Sequence, residues 1–110
     1  MKILNIFKSI PENLDKEALD TLVQQGDFKI ERIVSKGHTS PESGWYEQAQ
    51  DEWVIILQGA AVLTFVDGEE THLTVGDHLN IPAFTKHKVS WTNPDIETIW
   101  IAVFYGNKVT

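Results

Sequence analysis

Apolar and polar residues alternate in short runs over most of the chain, and glycine, proline, asparagine and aspartate punctuate the runs. Evenly spaced short strands of this kind predict a mainly β domain that packs as a sandwich or closes into a barrel. Phe28 to Val34 places Phe28 and Ile30 on one face and Lys29 and Glu31 on the other. Trp45 to Gln48 reads as extended, and Trp53 to Leu57 is apolar on both faces, with Gln58-Gly59 as a turn. Ala60 to Val66 runs back toward Asp67-Gly68, the strongest hairpin signal, a pair suited to the positive φ angles of a type I′ turn. Glu70 to Thr74, His78 to Ile81, Lys86 to Thr92 and Ile96 to Phe104 read as further strands, broken by Gly76-Asp77 and Pro82. The start of the chain reads differently. Leu14, Ala18, Leu19, Leu22 and Val23 fall at helical spacing, with Asn13 or Asp15 as N-cap and Gly26 as stop, which predicts a short N-terminal helix.

A length of 110 residues suits one domain, read as an extension over 1–27 packed on a barrel over 28–110. Two strands, Trp53 to Leu57 and Ile99 to Phe104, are apolar on both faces, so the face turned away from the barrel needs cover. The N-terminal segment or a second copy could supply it, and a homodimer is the expectation. Cysteine is absent, which removes disulfides, thiolate metal sites and a cysteine nucleophile. The formal net charge is −7, and the densest basic stretch is only Lys86-His87-Lys88. That balance argues against nucleic acid and anionic membranes as partners. Glycine-rich phosphate loops and a G-x-S-x-G elbow are also absent, so no nucleotide cofactor is expected. Met1 to Asn5 lacks the apolar stretch of a signal peptide, and a cytoplasmic protein is expected.

Within Lys86 to Thr92, strict alternation puts His87, Val89 and Trp91 on the interior face. By the same rule Glu52 shares a face with Val54 and Ile56. An inward histidine and an inward carboxylate gain chemical meaning only if the fold joins their strands.

Two spacings suggest that it does. Glu52-Trp53-Val54-Ile55-Ile56-Leu57-Gln58-Gly59 has the E-x6-G form of the first cupin motif. Gly76-Asp77-His78-Leu79-Asn80-Ile81-Pro82, followed by His87, has the G-x5-P-x4-H form of the second. Over residues 28–104 the chain resembles a small single-domain cupin, which implies a jelly-roll β-barrel, the double-stranded β-helix. The family's first motif normally carries a histidine pair before the glutamate. Here its two places fall on Trp45 and Glu47 or on Tyr46 and Gln48, and neither pair is histidine. The glycine expected after Pro82 is Phe84.

The resemblance implies a small-molecule ligand inside the barrel and a degenerate divalent-metal site. Its candidate ligands are His87, Glu52, Gln48 and Glu47, and its candidate ions are Fe, Mn, Zn or Ni. His38, in the loop before Trp45, could turn back to join it or stay in solvent, and His72 and His78 read as surface residues. Tyr46, Phe84 and Trp91 are candidates for an aromatic pocket wall. The implied activity is dioxygenase-like or isomerase-like. The alternatives are a non-catalytic binding or sensing module and a metal-independent acid/base isomerase using Glu52 and His87.

Overall fold

The computed structural model describes residues 1–106; residues 107–110, the end of the stretch assigned to the barrel, lie outside the described residues. Strands form where apolar and polar residues alternate. In chain order they are β1 (Ala18–Gln25), β2 (Phe28–Ser35), β3 (Asp51–Gln58), β4 (Ala60–Phe65), β5 (Glu70–Thr74), β6 (His78–Ile81), β7 (His87–Thr92) and β8 (Thr98–Tyr105). They form a five-stranded antiparallel sheet in the order β1-β2-β8-β3-β6 and a three-stranded one in the order β5-β4-β7. Both sheets feed one core. Val54, Ile56, Ile81, Trp100 and Ala102 come from the first, and Ala61, Leu63 and Leu73 from the second. Each large aliphatic side chain withdrawn from water there contributes roughly 1.5–3 kcal/mol.

The expected N-terminal helix does not form, and the described residues contain no helix. Residues 18–25 pair with β2 from Ala18↔Val34 to Gln25↔Phe28, with a bulge between Thr21 and Val23. A lone amphipathic helix of this length is marginal in water, whereas the sheet edge satisfies the same backbone groups with a ladder. Gly26 is therefore a hairpin residue and not a helix stop. Its φ of +55° occupies the first turn position, where a type II′ hairpin needs glycine.

The β4–β5 hairpin also departs from expectation. Gly68 has φ +91° but Asp67 does not have positive φ, so the turn is not type I′. The Gly68 N–H donates to the Phe65 carbonyl and the Phe65 N–H to the Glu69 carbonyl, which closes a three-residue loop ending in a glycine bulge.

One side of the large sheet carries the N-terminal segment. Arg32 is buried there, with Nη1 donating to the Ile6 and Lys8 carbonyls and Nη2 to Ser9 and to Asp20 Oδ2 at 2.6 Å. No described helix is long and apolar enough to cross a membrane.

Candidate functional site

The barrel holds a cavity of about 430 Å³ that opens to solvent beside the exposed residues Asp15, Lys16, Glu17 and Tyr46. Its greasy part follows from alternation. Val54 on β3, Leu63 on β4, Ile81 on β6, Val89 on β7, and Trp100 and Phe104 on β8 all line it. Set into this apolar wall are Glu52 and His87. They come from opposite sheets. Glu52 pairs in register with Ile81 on β6 and Phe104 on β8, and His87 pairs with Phe65 on β4. Closure of the two sheets brings His87 Nε2 to 3.7 Å from Glu52 Oε1, with both side chains largely buried. That separation is within ion-pair reach.

Three neighbours orient the couple. The Thr85 carbonyl lies 2.8 Å from His87 Nδ1. A carbonyl can only accept, so Nδ1 carries the proton and Nε2 is the basic nitrogen of the neutral ring. Gln48 Nε2 donates to Glu52 Oε1 at 3.0 Å and fixes the carboxylate. Tyr46 exchanges two backbone hydrogen bonds with His87, extending β7 by one bridge, and its ring lies 6.1 Å from the imidazole. Burial alone would lower the His87 pKa, because it penalises the charged ring. Glu52 and the Thr85 carbonyl both favour the imidazolium and outweigh burial, so the net shift is upward from 6.5.

The other expected residues divide. Tyr46 and Gln48 line the cavity, whereas Trp45 and Glu47 do not. The family's histidine places thus correspond to Tyr46 and Gln48, and Glu47, expected as a metal ligand, lies exposed outside the cavity. Trp91 was expected on the pocket wall, but a bulge in β7 sends it outward. Val62 pairs with Trp91 while Leu63 pairs with Val89, so Ser90 is the extra residue and alternation reverses after it. Trp91 is 42% exposed and Thr92 is 1% exposed. Phe84 is likewise outside the cavity, in a turn with φ +63° that only its missing glycine would ease. His38 does line the cavity, with its Nδ1 accepting from the Lys36 N–H. His72 and His78 are exposed.

Sequence reasoning missed Asp15, Lys16, Glu17 and Glu31, which also line the cavity. Glu31 was legible as the face opposite Phe28, but nothing in the pattern says which face of β2 looks inward. Trp100 and Phe104 were missed as wall residues, although their common face with Ala102 is plain from alternation.

The site's donors do not fit the divalent metal that the resemblance implies. Among the described residues no three His, Cys, Asp or Glu side chains converge as a ligand set. One imidazole and one carboxylate remain, and the Gln48 amide turns its nitrogen, a donor, toward that carboxylate. Catalytic Zn sites keep three protein ligands, and non-haem iron typically uses two His and one carboxylate.

Two antiparallel sheets around one cavity, with a carboxylate from one beside an imidazole from the other, define a small β-barrel with a polar couple in its interior. The chain belongs to the cupin family, whose domain model matches residues 31–104. Among solved structures it is similar to a protein from Ralstonia eutropha JMP134 described as a proposed mannose-6-phosphate isomerase. The two are 34% identical, with a TM-score of 0.90 over 99% of this chain and 100% of that one. It shares its fold with a cupin superfamily protein from Desulfitobacterium hafniense (23% identity, TM-score 0.71, 86% of this chain and 82% of that one). The same holds for an RmlC-like cupin with a double-stranded β-helix fold from Methanocaldococcus jannaschii (18% identity, TM-score 0.69, 89% and 87%). The search of curated proteins gives no match.

Proposed function

We propose that the protein is a small-molecule-binding cupin that moves a proton on a polar substrate, with Glu52 and His87 as its acid/base couple and no metal. The observation that carries this reading is the 3.7 Å approach of His87 Nε2 to Glu52 Oε1 within the cavity. Aldose–ketose isomerisation, the reaction class named for the Ralstonia relative, needs such a couple. A base takes the proton from the hydroxyl-bearing carbon next to the carbonyl while an acid protonates the carbonyl oxygen. The resulting enediol is then protonated on the former carbonyl carbon while its other hydroxyl gives up its proton, which forms the new carbonyl and returns both groups to their starting states. Nε2 is available as the base because Thr85 holds the other ring proton. A site kept largely apolar also strengthens each charge that develops on the reacting atoms.

Solvent deuterium incorporation tests this without knowing the final product. Mannose, fructose and their 6-phosphates are incubated with the protein in D2O, and exchange at the carbon beside the carbonyl is read by NMR. At least one sugar should exchange, and His87→Ala and Glu52→Gln should each slow exchange about 10²- to 10⁴-fold. EDTA should leave the rate unchanged. No exchange with any of the four, or full exchange by His87→Ala, overturns the catalytic reading. Loss with EDTA and recovery with Mn or Fe overturns the metal-free one.

A further inference from the structure

The cavity's charge limits what it can hold. Four carboxylates line it, Asp15, Glu17, Glu31 and Glu52, against one lysine, Lys16, and the His87 ring, which faces Glu52 and offsets that carboxylate alone. Phosphate recognition in proteins draws on arginine forks, lysines and helix N-termini. The described residues contain no helix. The chain contains one arginine, Arg32, and alternation along β2 turns it away from the face that carries Glu31 and Ile33. Its guanidinium is already engaged by three backbone carbonyls and Asp20. The ammonium of Lys29 is also engaged. Lys29 Nζ lies 3.3 Å from Glu31 Oε2 and 4.9 Å from the centre of the Phe104 ring.

One residue of the cavity wall also carries a buried donor without an acceptor. Trp100 lines the cavity and is only 3% exposed, yet its indole Nε1–H has no hydrogen-bond partner among the described residues. Buried donors without acceptors are uncommon in native proteins.

We infer that the cavity selects against anions: its ligand is a neutral or cationic polyhydroxylated molecule, and the phosphorylated counterpart is rejected. This rests on reading the barrel interior as the binding site. It separates this chain from a sugar-phosphate enzyme even though its barrel matches one so described. Each added phosphate would meet like charge in a partly desolvated site, a juxtaposition that costs far more than it does in open water.

A matched series tests the inference on the intact, ¹⁵N-labelled chain. Mannosamine, mannose and mannose 6-phosphate share one scaffold and differ in charge. Binding is read from the Trp100 indole N–H and His87 backbone resonances. Mannosamine or mannose should bind, and mannose 6-phosphate should bind at least about tenfold more weakly than the better of them. Glu31→Gln removes one wall carboxylate and frees the Lys29 ammonium, so it should narrow that gap by about tenfold. Added salt should narrow it too. If mannose 6-phosphate binds as well or better, and His87→Ala abolishes that binding, anion rejection is overturned while the cavity reading stands. If none of the three moves those resonances, the cavity reading fails for hexoses and this inference falls with it. If Glu31→Gln leaves the gap unchanged, wall charge is not the cause of selection and the inference is overturned on that ground.

Discussion

At the scale of single residues, His87 is a charge balance that can be read out by pH. Its raised pKa means that the folded state binds the ring proton more tightly than the unfolded chain does. The stabilisation is therefore fully present below the unfolded value of about 6.5 and is lost as pH rises through the higher folded value. The melting temperature of the wild type minus that of His87→Gln should be larger at pH 5.5 than at pH 9, and a flat difference would contradict the assignment. Because Glu52 supplies part of the upward shift, Glu52→Gln should lower the His87 pKa in an NMR titration of the ring protons. Glu52 and His87 were legible before the structure because strand alternation turns both inward and the two motif spacings bring them into one site. Trp91 was not, because alternation has no means of announcing the extra residue at Ser90. Glu47 and Gln48 could not be told apart either, since a one-residue change of register exchanges inside for outside.

At the scale of elements, the strand-rich pattern was legible almost throughout, and the failure at β1 has a physical cause. Leu19, Leu22 and Val23 satisfy a helical spacing by coincidence, but Thr21 and Val23 are β-branched and the β2 edge offers seven residues of antiparallel pairing. Tertiary hydrogen bonding overrode a weak local preference. The turn after β3 is where local chemistry does dictate the fold. Gly59 connects strands of different sheets with φ +85°, and an added Cβ would lie 2.3 Å from Thr98 Oγ1 and 2.7 Å from Thr98 Cα. Thr98 cannot yield easily, since its hydroxyl, buried with the rest of the residue, bonds the Ala60 backbone on both sides. Gly59→Ala combines left-handed strain with overpacking and should cost about 2–4 kcal/mol in urea denaturation. Gly68→Ala meets no atom within 4 Å and bears only the strain of φ +91°, so it should cost about 1–2 kcal/mol. Equal costs for the two would mean that the Thr98 contact is not what restricts Gly59.

At the scale of the whole molecule, the one arginine is committed to architecture, and this is the same fact that leaves the cavity without a guanidinium. Arg32 ties the segment Ile6 to Ser9 to the far side of the large sheet, through Nη1 to Lys8 at 2.7 Å and to Ile6 at 3.1 Å and through Nη2 to Ser9 at 3.2 Å. This long-range tie was not legible, because nothing in a lone arginine on a strand predicts which backbone it will gather. Removing the guanidinium would strand three carbonyls and the Asp20 carboxylate. The Asp20 side chain is 44% exposed, so water can take over that partner and its share of the loss is small. The three carbonyls lose a charged donor, which is the larger part of the loss. Arg32→Met keeps the aliphatic length and should therefore cost about 1–3 kcal/mol in urea denaturation, less than a fully buried pair would. Amide exchange should accelerate first in residues 6–9 and 18–21, while Trp100 and Ala102 stay protected, because the core between the sheets does not depend on the clamp. Cavity binding should survive the substitution. A parallel loss of binding would mean that the N-terminal segment, with Asp15 and Glu17 at its end, is held over the cavity by Arg32 and that architecture and recognition are coupled through one side chain.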